Sequence, residues 1–86
     1  MPRISAFYGI VIRMFYNDHS PPHFHAEYGE YEAIYGIATI QVLRGNLPRR
    51  AHALVVEWTT LHRAELEENW GRAQMGVALE NIEPLD

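Results

Sequence analysis

The sequence predicts an α+β domain in which a small, mostly antiparallel sheet of three or four strands precedes two helices that pack on one face of it. Two observations support this class. β-Branched and aromatic residues dominate the first half of the chain, whereas apolar residues spaced three and four apart dominate the second half. Strands grouped before helices are typical of α+β proteins. At 86 residues, the whole range 1–86 is expected to form a single domain.

The predicted strands of the first half include one hairpin. Residues 7–16 (FYGIVIRMFY) are interpreted as one strand, and the prolines of the segment 17–22 end it. Gly29-Glu30 separates two further strands at 23–28 and 31–37, because a Gly-X pair suits a type II′ turn. The face predicted to enter the core contains Phe24, Ala26, Tyr28, Tyr31, Ala33 and Tyr35. The opposite face contains His23, His25, Glu27 and Glu32.

The second half predicts a strand, a turn and two helices. Residues 39–43 are expected to form a fourth strand and residues 44–46 a turn, with Pro48 at the first helical position. An apolar stripe then continues from residue 51 to Trp70, and Gly76 suits the end of a helix. One straight helix of this length would exceed the width of so small a domain, so a break is predicted near His62. Trp58 and Trp70 are expected in the core, and residues 78–85 could add a short C-terminal edge strand.

Composition excludes several classes of protein. All seven basic residues are arginine, and the net charge is −4. The sequence has no basic tail of the kind that binds nucleic acid. The absence of cysteine excludes disulfide scaffolds, thiol catalysis and cysteine zinc sites. No apolar run is long enough for a membrane span, and no cleavage pattern follows the N-terminal apolar run. We therefore expect a cytoplasmic protein without a membrane partner.

The only chemical cluster is DHSPPHFHAEY, which places His19, His23 and His25 within seven residues. In a strand, His23 and His25 point the same way with Cα atoms roughly 6.5 to 7 Å apart. Together with His19 or a carboxylate, they could bind a divalent metal such as zinc or non-haem iron. Alternatively, His23 and His25, with Asp18 and Glu27, could perform acid–base catalysis on a phosphodiester. A third alternative is that the histidines lie on a solvated sheet face and only form structural hydrogen bonds to Glu27, Glu32 and the loop backbone.

The arginines supply a candidate surface for a phosphate or a partner protein. The residues concerned are Arg13, Arg44, Arg49 and Arg50. Arginines at the start of a helix oppose its dipole, so a partner is one explanation for Arg49 and Arg50. Ion pairs within the chain, for example with Glu57, are the ordinary alternative.

The chain resembles a family of small bacterial proteins catalogued as domain of unknown function 4160. The resemblance covers FYGIVIRM (7–14), DHSPPHFHAEYGEY (18–31), GNLPRRA (45–51), LVVEW (54–58), LHRAELEENW (61–70) and IEPL (82–85). The matching signature positions are Asp18, His19, Pro21, Pro22, His23, Phe24 and His25, followed by Arg50, Glu57, Trp58, His62, Glu65 and Trp70. The segment 35–39 (YGIAT) matches poorly and contains no acidic residue. This weakens the hypothesis that the strand supplies a carboxylate as a third metal ligand.

The resemblance implies a genomic context and no reaction. Relatives are often encoded beside a second small family, in a pairing proposed to be a toxin/antitoxin-like module. We therefore expect a partner protein encoded by a neighbouring gene. Within that expectation, the chain would be a toxin-like component that acts on nucleic acid through His23 and His25. The alternatives are a non-catalytic protein-interaction module and a metal-binding domain.

Overall fold

The computed structural model describes residues 2–86 and contains a five-stranded antiparallel sheet followed by two helices. The elements are β1 (Arg3–Phe7), β2 (Ile10–Arg13), β3 (His23–Tyr28), β4 (Tyr31–Gly36), β5 (Val42–Asn46), α1 (Arg49–Leu61) and α2 (Arg63–Gln74). The strands lie in the sheet in chain order, β1-β2-β3-β4-β5. The predicted α+β class is confirmed. Within residues 2–86, no helix has the length and apolar content needed to cross a bilayer.

The first predicted strand is in fact a hairpin. Tyr8 and Gly9 have φ angles of +50° and +81°, so they form the tight turn between β1 and β2. Two successive residues with positive φ are typical of a two-residue hairpin turn. The prediction of one strand over 7–16 was wrong because tyrosine gives no turn signal at such a position. The additional strand is one reason why the sheet exceeds the predicted three or four strands.

The second hairpin forms as predicted, but Tyr28 and Tyr31, which were expected in the core, are exposed because they flank its turn. Tyr28 pairs with Tyr31 across Gly29, whose φ of +58° glycine adopts without strain. Phe24 and Tyr35 are fully buried and stack with ring centroids 5.6 Å apart. His23 and His25 lie on the opposite face of β3 from Phe24, although His23 is itself buried and His25 is half-buried.

The last strand begins later than predicted. The structure places β5 at Val42–Asn46, so the expected strand at 39–43 and the expected turn at 44–46 were both wrong. Arg44 pairs with Ile34 and Val42 pairs with Tyr35, which leaves Leu43 as the extra residue of a β-bulge. The bulge lets the strand continue through Gly45, whose φ is +76°. Sequence periodicity does not show such an insertion.

Helix α1 packs against the sheet through Trp58. Its side chain is fully buried, and its ring centroid lies 5.3 Å from Phe7 and 5.9 Å from Phe24. The predicted helix break occurs at His62, where φ is −121°. Pro48 is the residue before α1 rather than its first residue. Gly76, with a φ of +70°, follows α2 as predicted.

The C-terminal segment is ordered without forming a strand. No strand lies within residues 77–86, so the predicted edge strand is not observed there. The segment forms one backbone bond to β1, from Ile82 N–H to the Ile4 carbonyl at 2.8 Å. Trp58 Nε1 donates to the Glu83 carbonyl at 2.9 Å. Side-chain anchors from the helices therefore replace the repeated backbone bonds that a strand would need.

We expect Gly45→Ala to destabilise the fold by about 2 kcal/mol or more. A Cβ at this position would lie 2.2 Å from the Glu32 carbonyl oxygen, on a backbone with positive φ. Gly71→Ala is the matched control, because nothing lies within 4 Å of its added Cβ and it should stabilise α2 by about 0.5–1 kcal/mol. Urea denaturation measures both, and equal effects of the two substitutions would contradict the bulge geometry.

Burial raises the pKa of Tyr35 to about 12. Because an unfolded tyrosine ionises near pH 10, the unfolded state loses this proton first, and the free energy of unfolding should fall between about pH 10 and pH 12. Tyr35→Phe should remove this part of the decline. The difference between the tyrosinate absorbance titrations of the two proteins gives the Tyr35 midpoint directly. A midpoint near the ordinary value for tyrosine would refute the prediction.

Candidate metal centre

The loop between β2 and β3 crosses from the sheet to the end of α2. Asn17, with a φ of +55°, donates its backbone N–H to the Ala73 carbonyl at 3.3 Å. Gln74 Nε2 donates to the Asp18 carbonyl at 3.0 Å. These contacts fix the backbone of Asp18 at the start of β3.

The Asp18 carboxylate points at both histidines of β3. Its Oδ1 accepts the backbone N–H of His19 at 3.0 Å. Its Oδ2 lies 2.9 Å from His23 Nε2 and 3.8 Å from His25 Nε2. One ligand atom from each of the three side chains lies within 4.8 Å of the others, so this group could hold a metal ion.

Both histidines have their other ring nitrogen next to an acceptor. His23 Nδ1 lies 2.7 Å from the Pro21 carbonyl oxygen, and His25 Nδ1 lies 3.1 Å from Glu32 Oε2. A carbonyl and an ionised carboxylate can only accept, so both Nδ1 atoms are the proton donors. The Nε2 atom of each ring is then the atom that faces Asp18 Oδ2. His25 Nε2 is buried and has no hydrogen-bond partner.

The electrostatics favour an ionised Asp18. Desolvation by burial raises the pKa of Asp18. Hydrogen bonds from the backbone N–H of His19 and from His23, together with the charges of these two histidines, lower the pKa by more than burial raises it. The net pKa is therefore below the ordinary aspartate value. At neutral pH the site contains an anionic oxygen between two imidazole nitrogens.

Aromatic packing holds both imidazoles in place. The His23 ring lies 5.2 Å from Trp70, between centroids, and 5.5 Å from His25. Phe15 contacts His25 edge-on at 4.4 Å. Trp70 is thus only partly a core residue, since it also supports the site. Fixed rings limit the rearrangement that a ligand would require.

A cleft of about 400 Å³ opens from the three side chains to the surface. Its lining consists of Asp18, His19, Ser20, Pro21, His23, His25, Ile34, Leu43 and Arg44. A ligand in this cleft would lie directly against His23, His25 and Asp18.

A family model described as domain of unknown function (DUF4160) matches residues 9–71, well over half of the chain. The chain belongs to this family. No curated protein and no solved structure matches it. The matched segment of DUF4160 contains Asp18, His23, His25 and Arg44, and the family description assigns no activity to it.

In this DUF4160 protein, the structure brings some of the predicted site residues together and separates others from them. Asp18, His23 and His25 come together. His19 borders the cleft, but its side chain is 96% exposed and its Nε2 lies 4.0 Å from Asp18 Oδ1. Glu27 contacts Arg13 instead, with Arg13 Nε 3.1 Å from Glu27 Oε1. The catalytic and metal-binding roles of these residues remain predictions.

The four arginines predicted to form one binding surface do not all lie at the cleft. Arg44 lines the cleft, whereas Arg49 and Arg50 are exposed at the start of α1 and do not line it. Arg13 is half-buried beside His25 and bonded to Glu27. Of the four arginines, only Arg44 is therefore placed to contact a ligand in the cleft.

Sequence reasoning gave Glu32 a structural hydrogen bond to the histidines, which the structure shows with His25, and it placed Trp70 in the core without a role at the site. Glu32 was placed on the histidine face, and its neighbour across the hairpin is Glu27. A diagonal contact to His25 follows from that register, so the signal was present. The contact between Trp70 and His23 depends on how α2 packs, and the spacing of apolar residues does not show it.

Proposed function

We propose that this DUF4160 protein binds one divalent transition-metal ion through Asp18, His23 and His25. The observation that supports this is the shared orientation of the two imidazoles. Both Nδ1 atoms are held by acceptors, and both Nε2 atoms are directed at one carboxylate oxygen. Metal-binding histidines commonly donate the other ring N–H to a carbonyl or a carboxylate in this way.

The separations between the ligand atoms suit a single ion. Two ligands that each lie about 2.1 Å from a tetrahedral zinc ion are about 3.4 Å apart. The two nitrogen–oxygen separations here, 2.9 and 3.8 Å, lie on either side of that value. The three ligand atoms all lie within 4.8 Å of one another, so one ion could contact all three after shifts of the rings.

The donor set favours zinc or ferrous iron. Two imidazole nitrogens and one carboxylate oxygen suit both ions, and three protein ligands leave coordination positions free. The adjoining cleft gives an external molecule access to these positions. A bound ion would supply Lewis acidity, while the chain's own residues hold it and position the ligand.

We expect purified, untagged protein to contain metal in a one-to-one ratio and to gain thermal stability when zinc is added. His23→Ala, His25→Ala and Asp18→Asn should each lower the zinc affinity by more than about 100-fold. Glu32→Gln should lower it by about 10–100-fold, because Glu32 orients His25 without being a ligand. Metal analysis and titration calorimetry measure these effects.

His19→Ala is the control for the metal experiment, since it removes a histidine that borders the cleft and lies outside the three-residue group. It should retain wild-type zinc affinity. Urea denaturation of each metal-free variant shows whether it is folded. A metal-free wild-type protein that gains no stability from zinc or ferrous iron would exclude the proposal.

A second candidate function is acid–base action on nucleic acid, as a toxin-like component of a two-protein module. It is favoured by the 2.9 Å contact between His23 Nε2 and Asp18 Oδ2, which needs a shared proton when no cation lies between them. His25 Nε2, buried without a hydrogen-bond partner, would be the proton acceptor. The partner would dock near Arg44, Arg49 and Arg50, whose guanidinium groups form no ion pair with residues 2–86.

Under this second candidate, the protein expressed alone should slow growth, and the protein encoded by the neighbouring gene should relieve the effect and co-purify with it. RNA cleavage should persist with a metal chelator present and fall at least about 100-fold in His23→Ala and in His25→Ala. Cleavage assays with and without the chelator distinguish the two candidates. Absence of cleavage, together with harmless expression, would exclude this one.

A further inference from the structure

The outer face of the sheet contains one row of paired residues that begins beside the metal centre. His25 on β3 pairs with Ile34 on β4, and Ile34 pairs with Arg44 on β5. Directly paired residues of an antiparallel sheet lie on the same face, and neighbouring strands are about 4.8 Å apart. Arg44 is therefore about 10 Å from His25 between Cα atoms, and both side chains line the cleft.

The β-bulge accounts for the orientation of Arg44. Consecutive residues of a regular strand point to opposite faces, yet Leu43 and Arg44 both line the cleft. The extra residue at Leu43 makes this arrangement possible. Gly45 then allows β4 and β5 to pair closely, since any Cβ there would meet the Glu32 carbonyl. The strand is thus shaped locally to turn an arginine toward the cleft.

The guanidinium of Arg44 is available to a ligand. It forms no hydrogen bond or ion pair with another residue in the range 2–86. Glu32, the acid on the neighbouring strand, is instead directed at His25. Arg44 is exposed, so a ligand in the cleft could reach its fork of donors.

The charges of the cleft then depend on the metal. Without an ion, Asp18 and Glu32 outweigh the one positive charge of Arg44. A divalent ion changes this balance, because its +2 charge added to those of Asp18, Glu32 and Arg44 makes the net charge of the cleft positive. An anion should therefore bind more tightly when the metal is present.

We propose that the cleft binds the phosphate group of a phosphate ester between the metal ion and Arg44. This proposal rests on the metal site proposed above. A phosphate monoester has three free oxygens besides the ester linkage, so one can contact the metal while two accept from the guanidinium. A carboxylate has only two oxygens, which lie close together on one carbon, so it cannot serve the metal and both donors of the fork at once. A diester also has two free oxygens, but they lie on a tetrahedral centre and are farther apart. The two-point contact therefore selects phosphate over carboxylate.

The test measures binding of inorganic phosphate to zinc-loaded protein by titration calorimetry. Wild-type protein should bind phosphate with zinc present and at least about 10-fold more weakly without it. Arg44→Gln should weaken phosphate binding by about 10–100-fold, since it removes a charge-assisted pair of hydrogen bonds. Arg44→Lys should recover part of the loss, because lysine keeps the charge without the fork. Arg63→Gln, an equal change of charge on α2, should have no effect.

Zinc affinity separates this proposal from the one on which it rests. Arg44→Gln should leave zinc affinity unchanged. Normal zinc binding with equal phosphate affinity in wild type and Arg44→Gln would overturn the phosphate site alone, as would acetate binding as tightly as phosphate. Failure of the wild type to bind zinc would overturn both. Titration with a nucleoside monophosphate and with a short single-stranded oligonucleotide then identifies the kind of phosphate ester that the cleft binds. Tighter binding of the first indicates a monoester, and tighter binding of the second indicates a diester.

Discussion

The alternation of side chains along β3 joins the hydrophobic core to the histidine pair. Phe24 and Ala26 are fully buried beneath the helices, so His23 and His25 must project from the other side of the strand. A shift of the pairing by one residue would move both histidines into the core and expose Phe24. The apolar surface buried by Phe24 opposes that shift. The stability of the fold thereby fixes the direction of both imidazoles, before any contact within the site is made.

The loop before β3 supplies what the strand cannot. A strand places two imidazoles side by side, but a carboxylate facing both of them has to come from elsewhere in the chain. The bond from Gln74 to the Asp18 carbonyl ties this loop to α2, which itself packs on the sheet. The His23 ring bonds to Pro21 in the same loop and contacts Trp70 of α2. Loop, strand and helix thus define the three-residue group together, and destabilising α2 should disorder the site as well.

The sequence determines the parts of this structure that depend on periodicity and leaves open those that depend on distant contacts. Period two was sufficient to place His25 opposite the core, and the α+β class followed from the same patterns. The hairpin turn at Tyr8 and the bulge at Leu43 were not predicted, because each is a local departure from a regular pattern. Asp18 was a candidate by proximity in the chain alone. Its position over the histidines depends on Gln74, 56 residues away, and no local pattern encodes that contact.

The strand β5 lies at the border of the sheet and carries Arg44, which lines the cleft. Within residues 2–86, β5 pairs only with β4, so its outer backbone groups are available to another strand. The bulge at Leu43 and the positive φ of Gly45 interrupt the regular spacing of those groups. Such irregularity discourages unspecific extension of the sheet, so only a chain shaped to the bulge can pair along it. Any such chain would lie beside Arg44. Arg44 of the proposed phosphate site therefore stands on a strand whose outer edge is not paired by any residue in the range 2–86.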